Sequence, residues 1–331
     1  MPPADIASQE RELRARIANG SQIPDDYRSL SQLCYAAGRF EESERILREA
    51  VRLPLPDLSR ALLLSALGSY VLEAKVGTGE PLSLAEESLA LTQGRETIDA
   101  LIARADAESL IARCVWETDR ERGLRSAASA ASLYAQLMRS EAPLEKRVLY
   151  DLRSSAAFLE VLLGHTSDAI GLYEAAKETA EGVERFVCRL WLGAEYREAG
   201  RLPQAREELA TILKSDDAPP WLLLKACYAL GSVEDEMGKL PEARAKFRRA
   251  LAIMEDYPAF RERERMFLDC LSWAAGISQD LGDFEEAAEL IKTLADLAPD
   301  EPFRWHCMVR SAQCAFELGR YEVALEAILF T

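Results

Sequence analysis

The stretch from Leu230 to Ala250, LGSVEDEMGKLPEARAKFRRA, predicts two helices joined by a tight turn. Gly238 suits the end of the first helix, because a residue with positive φ commonly stops a helix there. Pro241 suits the start of the second helix, where a missing amide hydrogen loses no partner. The second helix then carries three apolar residues on one face, namely Ala243, Phe247 and Ala250. A single pair cannot bury this face alone, so further pairs have to stack beside it.

The same arrangement recurs along the chain in one register. Six pairs share a turn glycine: Gly38, Gly164, Gly200, Gly238, Gly282 and Gly319. Five residues after each glycine comes a small residue: Ser43, Ala169, Ala205, Ala243, Ala287 and Ala324. Four residues further on comes a bulky one: Leu47, Tyr173, Leu209, Phe247, Ile291 and Ile328. Recurrence at this period is the signature of a helical solenoid.

The first helices add Leu192-Gly193-x-x-Tyr196 and Leu230-Gly231-x-x-Glu234. With the Ala-x-x-x-Phe spacing of the second helices, the chain resembles the tetratricopeptide repeat family over roughly residues 24–331. The resemblance implies an all-α fold, a right-handed α-α superhelix of about eight helix-turn-helix repeats. Turn glycines from Gly164 onward are 36 to 44 residues apart, longer than the family's typical ~34. The second and third repeats, with turns at 77–81 and 118–123, lack a clean motif.

Two domains are expected within this architecture. Residues 1–20 form a charged amphipathic helix with Ile6, Leu13 and Ile17 on one face, which ends at Asn19-Gly20. Because the first helix pair of a solenoid has an open outer side, we expect this helix to act as an N-terminal cap. Residues 21–331 form the tetratricopeptide-like repeat domain.

Composition limits the partners. The net charge is −16, with a pI of about 4.8, which argues against a nucleic-acid partner because such partners require a basic face. We find no apolar run of the ~18 residues that a membrane span needs, and residues 1–5 are not a signal peptide. We therefore expect no nucleic acid, no membrane association and a cytoplasmic location.

Residues that could support catalysis are scarce. The two histidines, His165 and His306, lie at a turn and at the start of a first helix, and neither is near a nucleophile motif. The seven cysteines fall on predicted first helices without C-x-x-C spacing, so we interpret them as buried packing residues. We expect a protein that is not an enzyme, with no catalytic residues, no metal site and no cofactor. An enzyme that works through carboxylates in the groove is the least favoured alternative.

Stacked helix pairs create a concave surface lined by the first helices, and partner-binding residues are expected there. Aligning the repeats places these residues on it: Asp25, Arg28, Asp151, Phe158, Arg197, Glu198, Lys225, Tyr228, Asp235, Asp269 and Gln279. Acidic residues outnumber basic ones on this face. One interpretation is a groove for a protein or peptide with basic segments, in which Tyr228 and Phe158 are apolar anchors. The other is that an acidic protein has acidic surfaces everywhere.

The sequence favours a non-catalytic protein–protein interaction scaffold that binds a peptide or partner protein in an acidic concave groove. The chain has a single asparagine, Asn19, so the asparagine ladders that some family members use on peptide backbones are not available. The alternative is the sensing or regulatory repeat portion of a larger effector, an enzyme or a transcription regulator. The apolar end of the last helix, 322–331, predicts self-association or a missing domain there, unless these residues fold back on their own repeat.

Overall fold

The computed structural model describes residues 4–21, 23–74, 77–140, 144–257, 265–297 and 300–329. Over these ranges the chain forms seventeen α-helices and no β-strand, so the predicted all-α class is confirmed. No helix within these ranges is long and apolar enough to cross a membrane. The chain divides into two compact units, unit 1 (Met1–Ala199) and unit 2 (Gly200–Thr331).

Unit 1 is built from ten helices. In chain order they are α1 (Ala4–Ala18), α2 (Pro24–Ala36), α3 (Phe40–Ala50), α4 (Asp57–Ala74), α5 (Gly79–Thr92), α6 (Ile98–Val115), α7 (Arg120–Met138), α8 (Lys146–Leu163), α9 (Thr166–Lys177) and α10 (Glu184–Glu198). Helices α2 to α9 pack as four consecutive pairs, and each pair also contacts the next. The two repeats that lack a clean motif are therefore complete helix pairs, α4–α5 and α6–α7.

Unit 2 contains seven helices. They are α11 (Leu202–Leu213), α12 (Pro220–Glu236), α13 (Leu240–Asp256), α14 (Met266–Asp280), α15 (Phe284–Asp296), α16 (Glu301–Glu317) and α17 (Tyr321–Leu329). Neighbouring helices pack in order from α11 to α17, as expected for an α-α superhelix. The first helices of the pairs, even-numbered from α2 to α16, alternate along the chain with the second helices.

The α12–α13 pair shows how the repeat motif produces its packing. Ala243, Phe247 and Ala250 are fully buried, as the stripe on the second helix predicts. A Cβ built at Gly231 would come within 2.9 Å of the Phe247 ring, so only glycine lets the first helix approach this closely. Gly238 has a φ of 72°, and its amide donates to the Asp235 carbonyl at 2.8 Å. This closes the helix end with a left-handed residue.

Helix α1 packs against the first repeat through Leu13 and Ile17, which join the core around Tyr27 and Leu30 of α2. The side chain of Ile6 lies outside the described residues. Burial of the large apolar side chains, at roughly 1.5–3 kcal/mol each, favours this position for α1.

Four charged residues link α1 to the first repeat, and we call them the N-terminal charge network: Glu10, Arg14, Arg39 and Glu42. Arg14 pairs with Glu10 at 2.8 Å and with Glu42 at 2.7 Å. Arg39 pairs with Glu10 at 2.7 Å and with Glu42 at 2.9 Å. Each charge in the network therefore has two partners of opposite sign.

All seven cysteines are buried, and none of them forms a disulfide. Burial raises the pKa of the Cys34, Cys114 and Cys227 thiols to about 11. A thiol with a raised pKa is a poor nucleophile and a poor metal ligand at neutral pH. The prediction that these cysteines are packing residues is confirmed by their burial.

Candidate functional site

The first helices of unit 1 face one another, and the surface they share is called here the inner face of unit 1. Arg147, at the start of α8, reaches back to α2, where its guanidinium donates to Ser29 Oγ at 2.9 Å and to Gln32 Oε1. These residues are 118 and 115 positions apart in the chain. Only the curvature of the stack within unit 1 can bring α8 and α2 together.

Six charged residues gather on this face, and we call them the inner charge cluster: Asp25, Arg28, Asp106, Arg147, Asp151 and Glu184. Arg28 lies 3.5 Å from Asp25 and is within electrostatic reach of Asp106 and Asp151. Asp106 accepts a hydrogen bond of 2.7 Å from the Tyr134 hydroxyl. The Asp151 carboxylate has no hydrogen bond or ion pair with another residue that the structure describes, and the Glu184 carboxylate is bonded to the backbone of Glu181.

The pKa values of three carboxyl groups in this cluster are raised. Burial raises the pKa of Asp151 to about 6, although Arg28 and Arg147 oppose the shift. Burial, with the neighbouring charge of Asp151, raises the pKa of Glu184 to about 7. Burial also raises the pKa of Asp106. Four carboxyl groups share two guanidinium groups, so the cluster lacks positive charge when all its acids are ionised.

An aromatic strip lies on the same three helices, α6, α8 and α10. We define the aromatic strip as Arg113, Phe158 and Trp191. The Arg113 guanidinium is 5.5 Å from the centroid of the Phe158 ring, a cation–π contact. Phe158 and Trp191 make an edge-to-face contact with centroids 6.4 Å apart. The Trp191 side chain is 42% exposed, so much of the indole ring is in contact with water.

The eleven residues predicted for the concave face fall on both units. In unit 1 the structure brings Asp25, Arg28 and Asp151 together, and Phe158 joins the aromatic strip. Arg197 and Glu198 lie at the last turn of α10, where Arg197 is half-buried and Glu198 is exposed.

The predicted residues of unit 2 are spread over α12 and α14. Lys225 lies 5.6 Å from the Trp221 ring, and Tyr228 contacts the buried Phe247 edge to face. Gln279 accepts hydrogen bonds of 3.1 and 2.8 Å from Arg310. Asp235 and Asp269 are half-buried on these helices. These contacts do not form one shared cluster of the kind seen in unit 1.

Five residues of the inner face were not predicted from the repeat alignment: Asp106, Arg113, Arg147, Glu184 and Trp191. A signal for most of them was present. Asp106 and Arg113, Asp151 and Phe158, and Glu184 and Trp191 are each seven residues apart on a first helix. Residues seven apart lie on the same helix face, and the predicted pair Asp151 and Phe158 has the register that the other two helices share.

The remaining polar groups that could carry chemistry have structural explanations. His165 Nδ1 is 2.7 Å from Glu160 Oε2, and Asp168 lies close enough for the three side chains to surround an ion. The same residues close the α8–α9 turn, where the His165 amide donates to the Glu160 carbonyl at 2.8 Å. His306 is exposed at the start of α16.

The basic residues of α13 are paired with acids. Arg244 contacts Asp283 and Glu286, and Lys246 lies 3.8 Å from the buried Glu234. These pairs connect α13 to neighbouring helices of unit 2.

The last helix pair of unit 2 exposes apolar side chains. They include Trp305, Phe316, Tyr321, Val323 and Leu325, all more than half exposed. Ile328 and Leu329 side chains, Phe330 and Thr331 lie outside the described residues.

Comparisons with known proteins agree with this architecture. A tetratricopeptide repeat profile matches residues 192–258 and 279–329. A search among curated protein sequences finds no match. The apo form of RapI aligns with a TM-score of 0.57 and 14% identity, over 98% of this chain and 86% of its own. The apo form of the quorum sensor NprR from B. thuringiensis aligns with a TM-score of 0.57 and 15% identity, over 98% and 97%.

At identities this low, the two structural alignments establish a shared fold and nothing further. The profile match covers the part of the chain that contains the repeats with the clearest motifs. The tetratricopeptide fold generally supports protein interaction rather than catalysis. The chain is therefore a tetratricopeptide-like helical repeat protein.

Proposed function

We propose that this protein is a non-catalytic interaction scaffold that binds a peptide or partner protein with basic segments on its inner, acidic face. The observation that supports the proposal is the inner charge cluster, where four carboxyl groups share two guanidinium groups. A lysine or arginine from a partner would supply the charge that the cluster lacks. The net charge of −16 would also steer such partners toward the protein.

The location and domain organisation belong to the same proposal. We place the protein in the cytoplasm, with residues 1–20 as a cap and residues 21–331 as the repeat domain. The contact of Leu13 and Ile17 with the first repeat supports the cap. In this proposal the N-terminal charge network holds residues 1–20 against the first repeat, and the inner charge cluster binds the partner.

The test is equilibrium binding of a synthetic nonapeptide pool to the full chain at about 50 mM and 500 mM salt. Bound peptides should be enriched in lysine and arginine, and the enrichment should fall steeply at high salt because exposed charge pairs are screened. Matched pools with glutamine at the basic positions serve as the control. Binding that is indifferent to basic residues and to salt would contradict the proposal.

A second candidate is the sensing or regulatory portion of a larger effector. The exposed apolar side chains of α16 and α17 support it, because a further domain or a second copy at 322–331 would cover them. The shared fold with a protein described as a quorum sensor fits the same idea. Sedimentation equilibrium over a hundredfold concentration range should show self-association that Leu325→Glu abolishes. A monomer at every concentration would count against the second copy.

A further inference from the structure

We infer that the inner face of unit 1 is a two-point docking surface for an extended peptide, with a lysine or arginine side chain at one point and an aromatic or large aliphatic side chain three residues away at the other. The inference deepens the proposed function and depends on it. It specifies which chemistry the peptide carries and how far apart its two anchors lie.

The two points are parallel rows on α6, α8 and α10. Asp106, Asp151 and Glu184 form the charged row. Seven residues further along the same helices come Arg113, Phe158 and Trp191, the aromatic strip. Each pair is separated by about 10.5 Å along its helix, at 1.5 Å per residue.

The charged row favours a cation. Arg113 contacts Phe158 and Phe158 contacts Trp191, so the residues seven positions earlier on the same helices, Asp106, Asp151 and Glu184, are neighbours as well. The charge of Asp106 acts on Asp151, and the charge of Asp151 acts on Glu184. The arginines that face them are already committed, Arg28 to Asp25 and Arg147 to Ser29 and Gln32. The Asp151 carboxylate is partly buried and has no ion pair with a described residue, which is costly, and an added ammonium or guanidinium group would relieve that cost.

The aromatic strip favours an apolar side chain. Phe158 holds the Trp191 ring edge to face, while much of the indole remains exposed. A rigid aromatic surface loses little conformational entropy when it packs against a partner, which is why tryptophan is common at binding hot spots. Arg113 stacks over Phe158 and gives the strip a polar edge.

The distance between the rows sets the spacing in the peptide. An extended chain in the polyproline II conformation advances about 3.1 Å per residue and completes a turn every three residues, so side chains three positions apart lie about 9 Å apart on the same side. Two anchors on adjacent residues would be too close together to occupy both rows. The peptide that fits therefore carries its basic and apolar side chains three positions apart.

The experiment uses a peptide array in which a lysine and a phenylalanine are separated by zero to five serines, probed with the full chain at about 50 mM salt. Binding should peak with two intervening serines. It should fall about tenfold when the lysine is replaced by glutamine or the phenylalanine by serine. These peptide changes test both points without altering the protein.

Two protein variants test the surface itself. Asp151→Asn should weaken the lysine peptide about tenfold while leaving its glutamine counterpart unchanged. Trp191→Ala should weaken the phenylalanine peptide about tenfold while leaving its serine counterpart unchanged. The controls are Glu178→Gln, directly after α9, and Leu124→Ala on α7, which remove one exposed charge and one exposed apolar side chain elsewhere in unit 1. Both controls should bind like the original chain.

The outcomes separate this inference from the proposed function. Lysine peptides that bind at every spacing, or best with adjacent anchors, would overturn the two-point surface and leave the acidic interaction face standing. Binding that persists unchanged in Asp151→Asn and Trp191→Ala would overturn the placement on unit 1. A chain that binds no basic peptide at any salt concentration would overturn both.

Discussion

Two groups of arginines and acids in unit 1 shift the pKa values of their carboxyl groups in opposite directions. In the N-terminal charge network, two arginines face two glutamates, and every charge is paired twice. Hydrogen bonds from Arg39 and Arg14 lower the pKa of Glu10 and Glu42 respectively. In the inner charge cluster, two arginines face four acids, and burial raises the pKa of Asp151 to about 6 and of Glu184 to about 7.

The two groups differ in the ratio of acidic to basic residues and in how far their carboxyl groups are exposed to water. A balanced group of ion pairs stabilises the ionised form of its acids, so it holds α1 to the start of α3. A partly buried group with excess carboxylate destabilises its own ionised form, so it gains from an added cation. The comparison suggests that the first group maintains the fold and the second group is available for binding.

The largest effect should come from Arg147→Met. This change removes the contacts of α8 with Ser29 and Gln32 and leaves Asp151 with one fewer cation nearby. We expect a loss of about 2 kcal/mol at pH 7.5, below the value for a fully buried pair because the site is only half-buried. Hydrogen exchange should quicken in α2 and α8. Arg139→Met, at an exposed arginine bonded within its own helix, is the control; equal exchange in both variants would contradict the bridging role.

A smaller loss is expected for Glu42→Gln in the N-terminal charge network. The change weakens the ion pairs to Arg14 and Arg39. Both arginines are more than one third exposed, so solvent screening limits the expected loss to about 1 kcal/mol. Urea unfolding at pH 7.5 measures it, with Glu12→Gln on the exposed side of α1 as the control. An unchanged midpoint would show that the network contributes nothing to stability.

The same kind of substitution should have the opposite sign in the inner charge cluster. Asp151→Asn removes one excess carboxylate, so we expect stability at pH 7.5 to rise by about 0.5 kcal/mol rather than fall. The measurement is again urea unfolding, now compared directly with Glu42→Gln. If both variants were destabilised alike, the two groups would not differ in the way proposed.

A further prediction concerns the response of stability to pH. Asp151 and Glu184 have raised pKa values in the folded chain, so the folded state holds their protons more tightly than the unfolded state. Their contribution to stability is therefore full below the unfolded pKa of about 4 and is lost as pH rises through about 6 and 7. Glu10 and Glu42 contribute in the opposite direction, since their lowered pKa values give stability that is lost only in acid.

The pH effect is isolated by a difference measurement. Unfolding midpoints of the original chain and of the Asp151→Asn, Glu184→Gln double variant are compared between pH 5 and 7.5. The double variant should gain stability relative to the original chain as pH rises. A constant difference across this range would show that the two carboxyl groups do not titrate as the structure indicates.

Much of the fold could be predicted because each helix end and each buried stripe depends on residues that are close together in the sequence. Gly238 has the positive φ expected of a helix end, and Ala243, Phe247 and Ala250 are buried as their spacing indicates. The site was predictable only in part. The repeat alignment identified Asp25, Arg28, Asp151 and Phe158 as members of one face, but it did not indicate that Arg147 and Glu184 join the charged residues there.

The sequence by itself determined the helix pairs, their turns and their buried stripes, because helix ends and apolar periodicity depend on residues within a few positions of one another. Only the tertiary structure decided which charges meet. Arg147 lies beside Ser29 and Gln32 because the curvature of unit 1 brings α8 to α2. The raised pKa values of Asp151 and Glu184 follow from burial at that meeting point, which depends on the arrangement of helices that are far apart in the chain.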